Sequence, residues 1–198
     1  IWFNVADIAG KGVNAALLMA KTTSLFRHLA KTAQDPVAVA VAINAELYET
    51  AAYGMFVTMA CGVYDPASGL VQLANAGHEP AVVCRRAGGV EQQVPAQTPP
   101  LGILPELAPD PPPAPVEIDL TGRRLYLFTD GLTEALGPDG APLGADGVVQ
   151  RIAQAEADGL EPPRRIAQVI RAIAPKDEAL ADDLTLLVVE GPRRDGRA

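Results

Sequence analysis

The sequence predicts an α+β fold in which sheet packs on sheet and the helices lie outside. Three observations predict it. Helical patterns come in two pairs, one early and one late. The stretches between them read as strands joined by short turns, not as strands alternating with helices. Nearly half of the 198 residues are apolar (48%), which suffices for a core without disulfides or metal staples. The length suits one domain.

Residues 1 to 6, "IWFNVA", read as the end of a buried strand. A helix is expected from Val13 to about Lys31, with Ala15, Leu18, Thr22, Leu25 and Leu29 at the 3–4 spacing of one face. Asp35-Pro36 opens a second helix, to about residue 50, with Asp as N-cap and Pro at the first position; Ala40, Ile43 and Leu47 supply its inner face. "MFVTMACGVYD" is strand-like, "PASG" is a turn and "LVQLANAG" alternates, and "PAVVCRR", "AGG" and "VEQQV" read as a further hairpin, giving antiparallel strands in series. The Pro-rich "PAQTPPLGILPELAPDPPPAP" is expected to be a surface loop packed through Leu101, Ile103 and Leu104. "VEIDL" and "RRLYLFTDG" resume strands. Helices follow over 146–157 and 162–173, and "LTLLVVEG" is the last strand. The tail 192–198 is expected to be disordered. The chain starts inside an apolar run without Met, so it is expected to be a piece of a longer protein.

The net charge of −8 argues against nucleic-acid or membrane-surface binding, whose footprint is basic. Cys61 and Cys84 have neither metal nor redox spacing, as expected of a reduced, cytoplasmic protein. No apolar stretch reaches the ~20 residues that cross a bilayer.

Acids recur at strand ends. Asp7 closes the first apolar run. Asp130, followed by Gly131, closes "LYLFTDG". Asp182 and Asp183 stand before the last strand. Gathering such carboxylates costs several kcal/mol of repulsion and desolvation unless cations neutralise them, which hard divalent ions do. A pair of such ions can activate water for in-line attack on phosphorus. Aspartate at a strand end also serves as a turn former or helix cap, and spacing alone leaves both readings open. Alternation lets only one of Asp182 and Asp183 point into a given site.

The ordered motifs "ADIAGKGVNAALLMA", "MFVTMACGVYDPASGLVQLANAGHEPAVV", "PPLGIL", "LYLFTDGLTEA" and "ADDLTLLVV" resemble the metal-dependent protein phosphatases (PPM, type 2C), most of all the bacterial branch of stage II sporulation protein E-like (SpoIIE-like) and sigma-regulator serine phosphatases. The resemblance spans residue 1 to about 190. It implies one PPM domain over 1–191, a four-layer α-β-β-α sandwich of two antiparallel sheets flanked by helix pairs, and two Mn²⁺ or Mg²⁺ ions. Carried over by motif, Asp7 bridges the ions, the Ile8 carbonyl is a ligand, Asp130 and Asp182 are further ligands, and Asp183 stands behind them. The implied reaction is attack of a metal-bridging hydroxide on a phosphoserine or phosphothreonine. The implied substrate is a phosphorylated anti-sigma-antagonist domain, with an upstream sensor or receiver module and a possible homodimer. The family's earlier Gly-Gly-Asp motif is absent from the chain, and position 6 is Ala where relatives usually have Gly. The missing acid motivates an alternative: a catalytically impaired, phosphatase-like binding module.

Gly10-Lys11-Gly12 is not a P-loop, because Val5 and Gly12 stand where that motif needs Gly and Ser or Thr. Lys11 and the free N–H groups of the following helix are candidates for attracting an anionic substrate. Cysteine-phosphatase chemistry needs Arg six residues after the nucleophile; Ala67 and Val90 stand there. His78, in "NAGHEP", is expected to brace its loop by hydrogen bonds, with general-acid work as the lesser reading. The segment "GLTEALGPDGAPLGADG" is expected to be a mobile loop, which the resemblance makes a flap beside the site.

Overall fold

The computed structural model describes residues 1–49, 54–86, 88–137, 140–173 and 183–193. The described residues form eight strands and four α-helices in two compact units, each an antiparallel four-stranded sheet with a helix pair.

The first unit, residues 1–78 and 95–119, has strand order β1-β2-β3-β6, from β1 (Trp2–Ile8), β2 (Val57–Tyr64), β3 (Leu70–Ala76) and β6 (Val116–Asp119). Its helices are α1 (Val13–Leu29) and α2 (Pro36–Tyr48). The step from β1 to α1 needs glycine: Gly10 and Gly12 have φ of 137° and 84°, which side chains resist. The α2 start is as the sequence predicts. The Asp35 carboxylate accepts from the Ala38 N–H (2.9 Å), and Pro36 occupies the first turn. Val39, Ile43 and Leu47 of α2 bury against Ile8, Val57, Met59, Cys61 and Ala76 of the sheet, each large aliphatic contributing about 1.5–3 kcal/mol. On α1 the buried face is Leu18, Thr22 and Phe26, with Ala15, Leu25 and Leu29 half-buried beside it. Phe26 meets Trp2 edge-on, ring centroids 6.3 Å apart.

The Pro-rich loop corrects one expectation. Leu101 is buried and exchanges backbone hydrogen bonds with Val57, but Ile103 and Leu104 are 44% and 45% exposed, and Leu107 is buried instead. The buried Asn44 explains it. It accepts from the Gly102 N–H (2.9 Å) and donates to the Leu104 carbonyl (3.1 Å), so the loop is held by its backbone and turns those side chains outward.

The second unit, residues 79–94 and 120–198, has strand order β5-β4-β7-β8, from β4 (Ala81–Arg85), β5 (Val90–Val94), β7 (Arg123–Phe128) and β8 (Leu186–Glu190). Its helices are α3 (Gly144–Ala157) and α4 (Pro162–Ile173). Val148, Ile152, Ala155, Val169 and Ile173 bury with Val82, Cys84, Tyr126 and Phe128. A polar network lies within this apolar layer. The Tyr126 hydroxyl and Arg124 donate to the fully buried Glu156, and Arg124 and Arg165 reach Glu190. Arg165 itself is only 1% exposed.

Candidate metal and phosphate site

In the first unit, β1 carries Asp7 and Ile8 to its exit. Alternation sends Ala6 and Ile8 into the helix-covered core and Asp7 to the opposite face, where Thr58 of β2 stands in register with it. Beyond β3, Thr58 Oγ1 and His78 Nδ1 are 2.9 Å apart, and the His78 N–H donates to Asn75 Oδ1 (2.9 Å). His78 is buried and braced, as its loop position predicts. Asp7, Thr58 and His78 therefore belong to one end of this sheet. Ile1 exchanges hydrogen bonds with Tyr64, and the Ala9 N–H donates to the Phe56 carbonyl, so the backbone polar groups of the odd residues of β1 face β2. The Ile8 carbonyl consequently points off the open edge of the sheet. Lys11 is exposed in the turn before α1.

In the second unit, Asp130 follows β7 and begins a one-turn 3₁₀ helix, Asp130–Leu132. Thr133 Oγ1 shares its one proton between two acceptors, the Asp130 carbonyl (2.9 Å) and Glu79 Oε1 (3.4 Å). Burial lifts the Glu79 carboxyl above the ordinary glutamate value; the Thr133 hydrogen bond opposes this and the charge of Asp130 adds to it. Glu79 is the residue the sequence reading missed. Its position next to His78 in "NAGHEP" was the available signal. Thr129 ties this corner to the start of the last strand: its Oγ1 donates to the Asp183 carbonyl (3.3 Å) and accepts from the Thr185 N–H (3.1 Å). Gly131 lies against the same carbonyl, so Asp130, Gly131, Glu79 and Asp183 share one corner. Asp182 lies outside the described residues.

Carboxylates with a backbone carbonyl are hard oxygen donors, the set that Mg²⁺ and Mn²⁺ prefer. Among the described residues, no group of three or more His, Cys, Asp and Glu side chains forms a metal cage. The donors that are described fit such ions in kind, and Glu79 beside Asp130 is a carboxylate pair that a cation would relieve. The thiols do not compete. Both are buried, and burial is the main cause that pushes Cys61 and Cys84 up to about 12. The expected flap is partly structured: Gly137 donates to the Ala141 carbonyl, and α3 already begins at Gly144.

A family model described as Stage II sporulation protein E (SpoIIE) matches residues 1–192. The fold is that of PP2C phosphatase domains. The SiaA-PP2C domain of Pseudomonas aeruginosa aligns with a TM-score of 0.77 at 19% identity, over 96% of this chain and 74% of that one. The RsbU and RsbW domains of Rv1364c from Mycobacterium tuberculosis align at 0.78 and 22% identity, over 96% of this chain and 53% of that one. RsbX in complex with magnesium aligns at 0.64 and 16% identity, over 93% and 78%. No curated protein matches the chain in sequence.

Proposed function

The chain belongs to the SpoIIE family, and on that premise we propose that residues 1–191 act as a metal-dependent phosphatase domain hydrolysing phosphoserine or phosphothreonine in a protein. The observation that carries the reading is the placement of Asp7 and Asp130. Each stands at the exit of an apolar strand, in a chain whose family match spans nearly its whole length.

Asp7, the Ile8 carbonyl, Asp130 and Asp182 would hold two Mn²⁺ or Mg²⁺ ions. When bound, the ions supply a water acidic enough to attack phosphorus near neutral pH. The protein's own groups do the rest. Asp7 and Asp130 contribute charge that makes the site selective for dications. Thr58 holds the ring of His78 through Nδ1, so that His78 braces its loop, with general-acid work as the lesser reading. Lys11 and the N-terminal N–H groups of α1 favour approach of a dianionic phosphoryl group. Gly131 keeps the Asp130 corner and the Asp183 backbone close together.

The substrate proposed is a phosphorylated anti-sigma-antagonist-like domain. Support comes from the RsbU and RsbW domains with which the chain shares its fold. An upstream sensor or receiver module, a homodimer and a cytoplasmic location belong to the same reading. No described helix is long and apolar enough to cross a membrane.

The test is hydrolysis of an aryl phosphate and of a phosphoserine protein with Mn²⁺ or Mg²⁺, with chelator, and after thiol alkylation. Activity is expected with metal, is expected to fall to background with chelator, and is expected to survive alkylation. Turnover that persists in chelator overturns the proposal.

A further inference from the structure

A cavity of about 590 Å³ opens in the second unit, at the pole of its sheet opposite Asp130. Arg123, on its wall, starts β7, and Asp130 lies just past the end of that strand. Seven residue steps of largely extended chain separate them by roughly 20 Å. The chain carries a net charge of −8, yet this cavity gathers Arg85, Arg86, Arg123, Arg124 and Arg193 against three glutamates.

The carboxylates here are shared. Glu190 takes Arg86 (3.4 Å), Arg124 (3.0 Å) and the buried Arg165; Glu91 takes Arg85 (3.0 Å) and Arg123 (2.9 Å). Arg124 and Arg165 also reach Glu156 behind the cavity, and the lining itself still sets five guanidinium groups against three carboxylates. Arg86 directs Nη2 to the Gly191 carbonyl (2.7 Å), while its buried Nε has no acceptor among the described residues. Residues Gly159 to Pro162, which lead into the N-terminus of α4, line the same cavity, so the positive end of a twelve-residue helix adds to the field. The third glutamate, Glu161, sits at that helix start and offsets part of it. No aromatic ring lines the cavity among the described residues, so they offer no stacking surface for a nucleobase.

We propose that this cavity binds a small, multiply charged oxyanion of the phosphate class, at a site separate from the strand-end acids. Arginine forks match the oxygens of such an anion, and the volume is that of a small-molecule site. The bound oxyanion takes donors that Glu91 and Glu190 now share, and its removal returns them.

The experiment is calorimetric titration of the full chain with pyrophosphate, at constant ionic strength and in chelator, so that no metal holds the anion elsewhere. Saturable one-site binding is expected. Arg193→Gln, at the rim and without an ion pair among the described residues, is expected to weaken it by about tenfold. Arg86→Gln is expected to weaken it at least as much, with circular dichroism checking that the variant folds. Asp130→Asn is expected to leave it unchanged. Absence of saturable binding, parental affinity in Arg193→Gln, or loss of binding in Asp130→Asn overturns the proposal. Tighter binding of a tetraglutamate peptide than of pyrophosphate overturns the phosphate assignment.

Discussion

Gly131 sits so close to Asp183 that a Cβ at position 131 would strike the Asp183 carbonyl oxygen. That contact joins the turn after β7 to the segment leading into β8, two parts of the chain that both carry candidate acids. Gly131→Ala must push them apart. Overpacking of this kind costs about 1–3 kcal/mol. Gly159→Ala is the comparison: a Cβ there meets nothing within 4 Å, and the φ of 64° costs about 1–2 kcal/mol in strain. Both variants are expected to lose stability in urea unfolding. Only Gly131→Ala is expected to lose turnover with Mn²⁺, by about tenfold or more.

Asp130→Asn keeps shape and removes charge. Turnover is expected to fall by roughly 100-fold or more, with stability unchanged or raised, because Glu79 then faces a neutral group. Asp7→Asn is expected to lose turnover similarly. Asp35→Ala is the control. It removes the α2 cap, costs about 1 kcal/mol and leaves turnover intact. Equal losses of turnover in all three would show that the acids matter only to folding.

What the sequence revealed was local or periodic. Asp35-Pro36 announced α2, and alternation marked β3. Asp7 and Asp130 stood out because a charge ended an apolar run. What it hid depends on chain segments meeting in space. Glu79 reads as an ordinary loop acid until Thr133 and Asp130, more than fifty residues on, reach it. Phe26 lies beside the face that periodicity marked on α1, and it is buried against Trp2. Arg165 and Glu156 read as solvated charges of two surface helices, yet both are buried, because each is the other's partner.

The cavity network also sets an acid sensitivity. Burial alone would raise the Glu190 carboxyl, but Arg124, Arg165 and Arg86 outweigh it and hold it below the ordinary value. Between that depressed value and the unfolded value of about 4.3, the unfolded chain binds more protons, so stability rises with pH. The contribution is complete above about 4.3 and is lost as pH falls through the folded value. Glu190→Gln is expected to be less stable than the parent at pH 7 and to show a flatter decline on acidification. Urea midpoints measured from pH 7 down to pH 3 check this. A parallel decline in both proteins would remove Glu190 from the explanation.

Glu156 tests whether the buried network holds α3 and α4 to their sheet. Its side chain is fully buried, and it takes Arg124, Arg165 and the Tyr126 hydroxyl together. Glu156→Gln leaves buried guanidinium charge undercompensated, which costs about 3–5 kcal/mol. Tyr126→Phe removes one hydrogen bond to a charged acceptor and costs about 1.5–3 kcal/mol, while the ring still packs with Cys84 and Ile152. The order of destabilisation is therefore expected to be Glu156→Gln above Tyr126→Phe. Adding Arg165→Met to Glu156→Gln removes one of the stranded charges and is expected to recover part of the loss, since a buried pair replaced by apolar groups is often neutral. Urea unfolding of the three variants reads this order directly. If Glu156→Gln proves no worse than Tyr126→Phe, and Arg165→Met brings no recovery, the helices are held by the apolar contacts of Val148, Ile152 and Val169 instead.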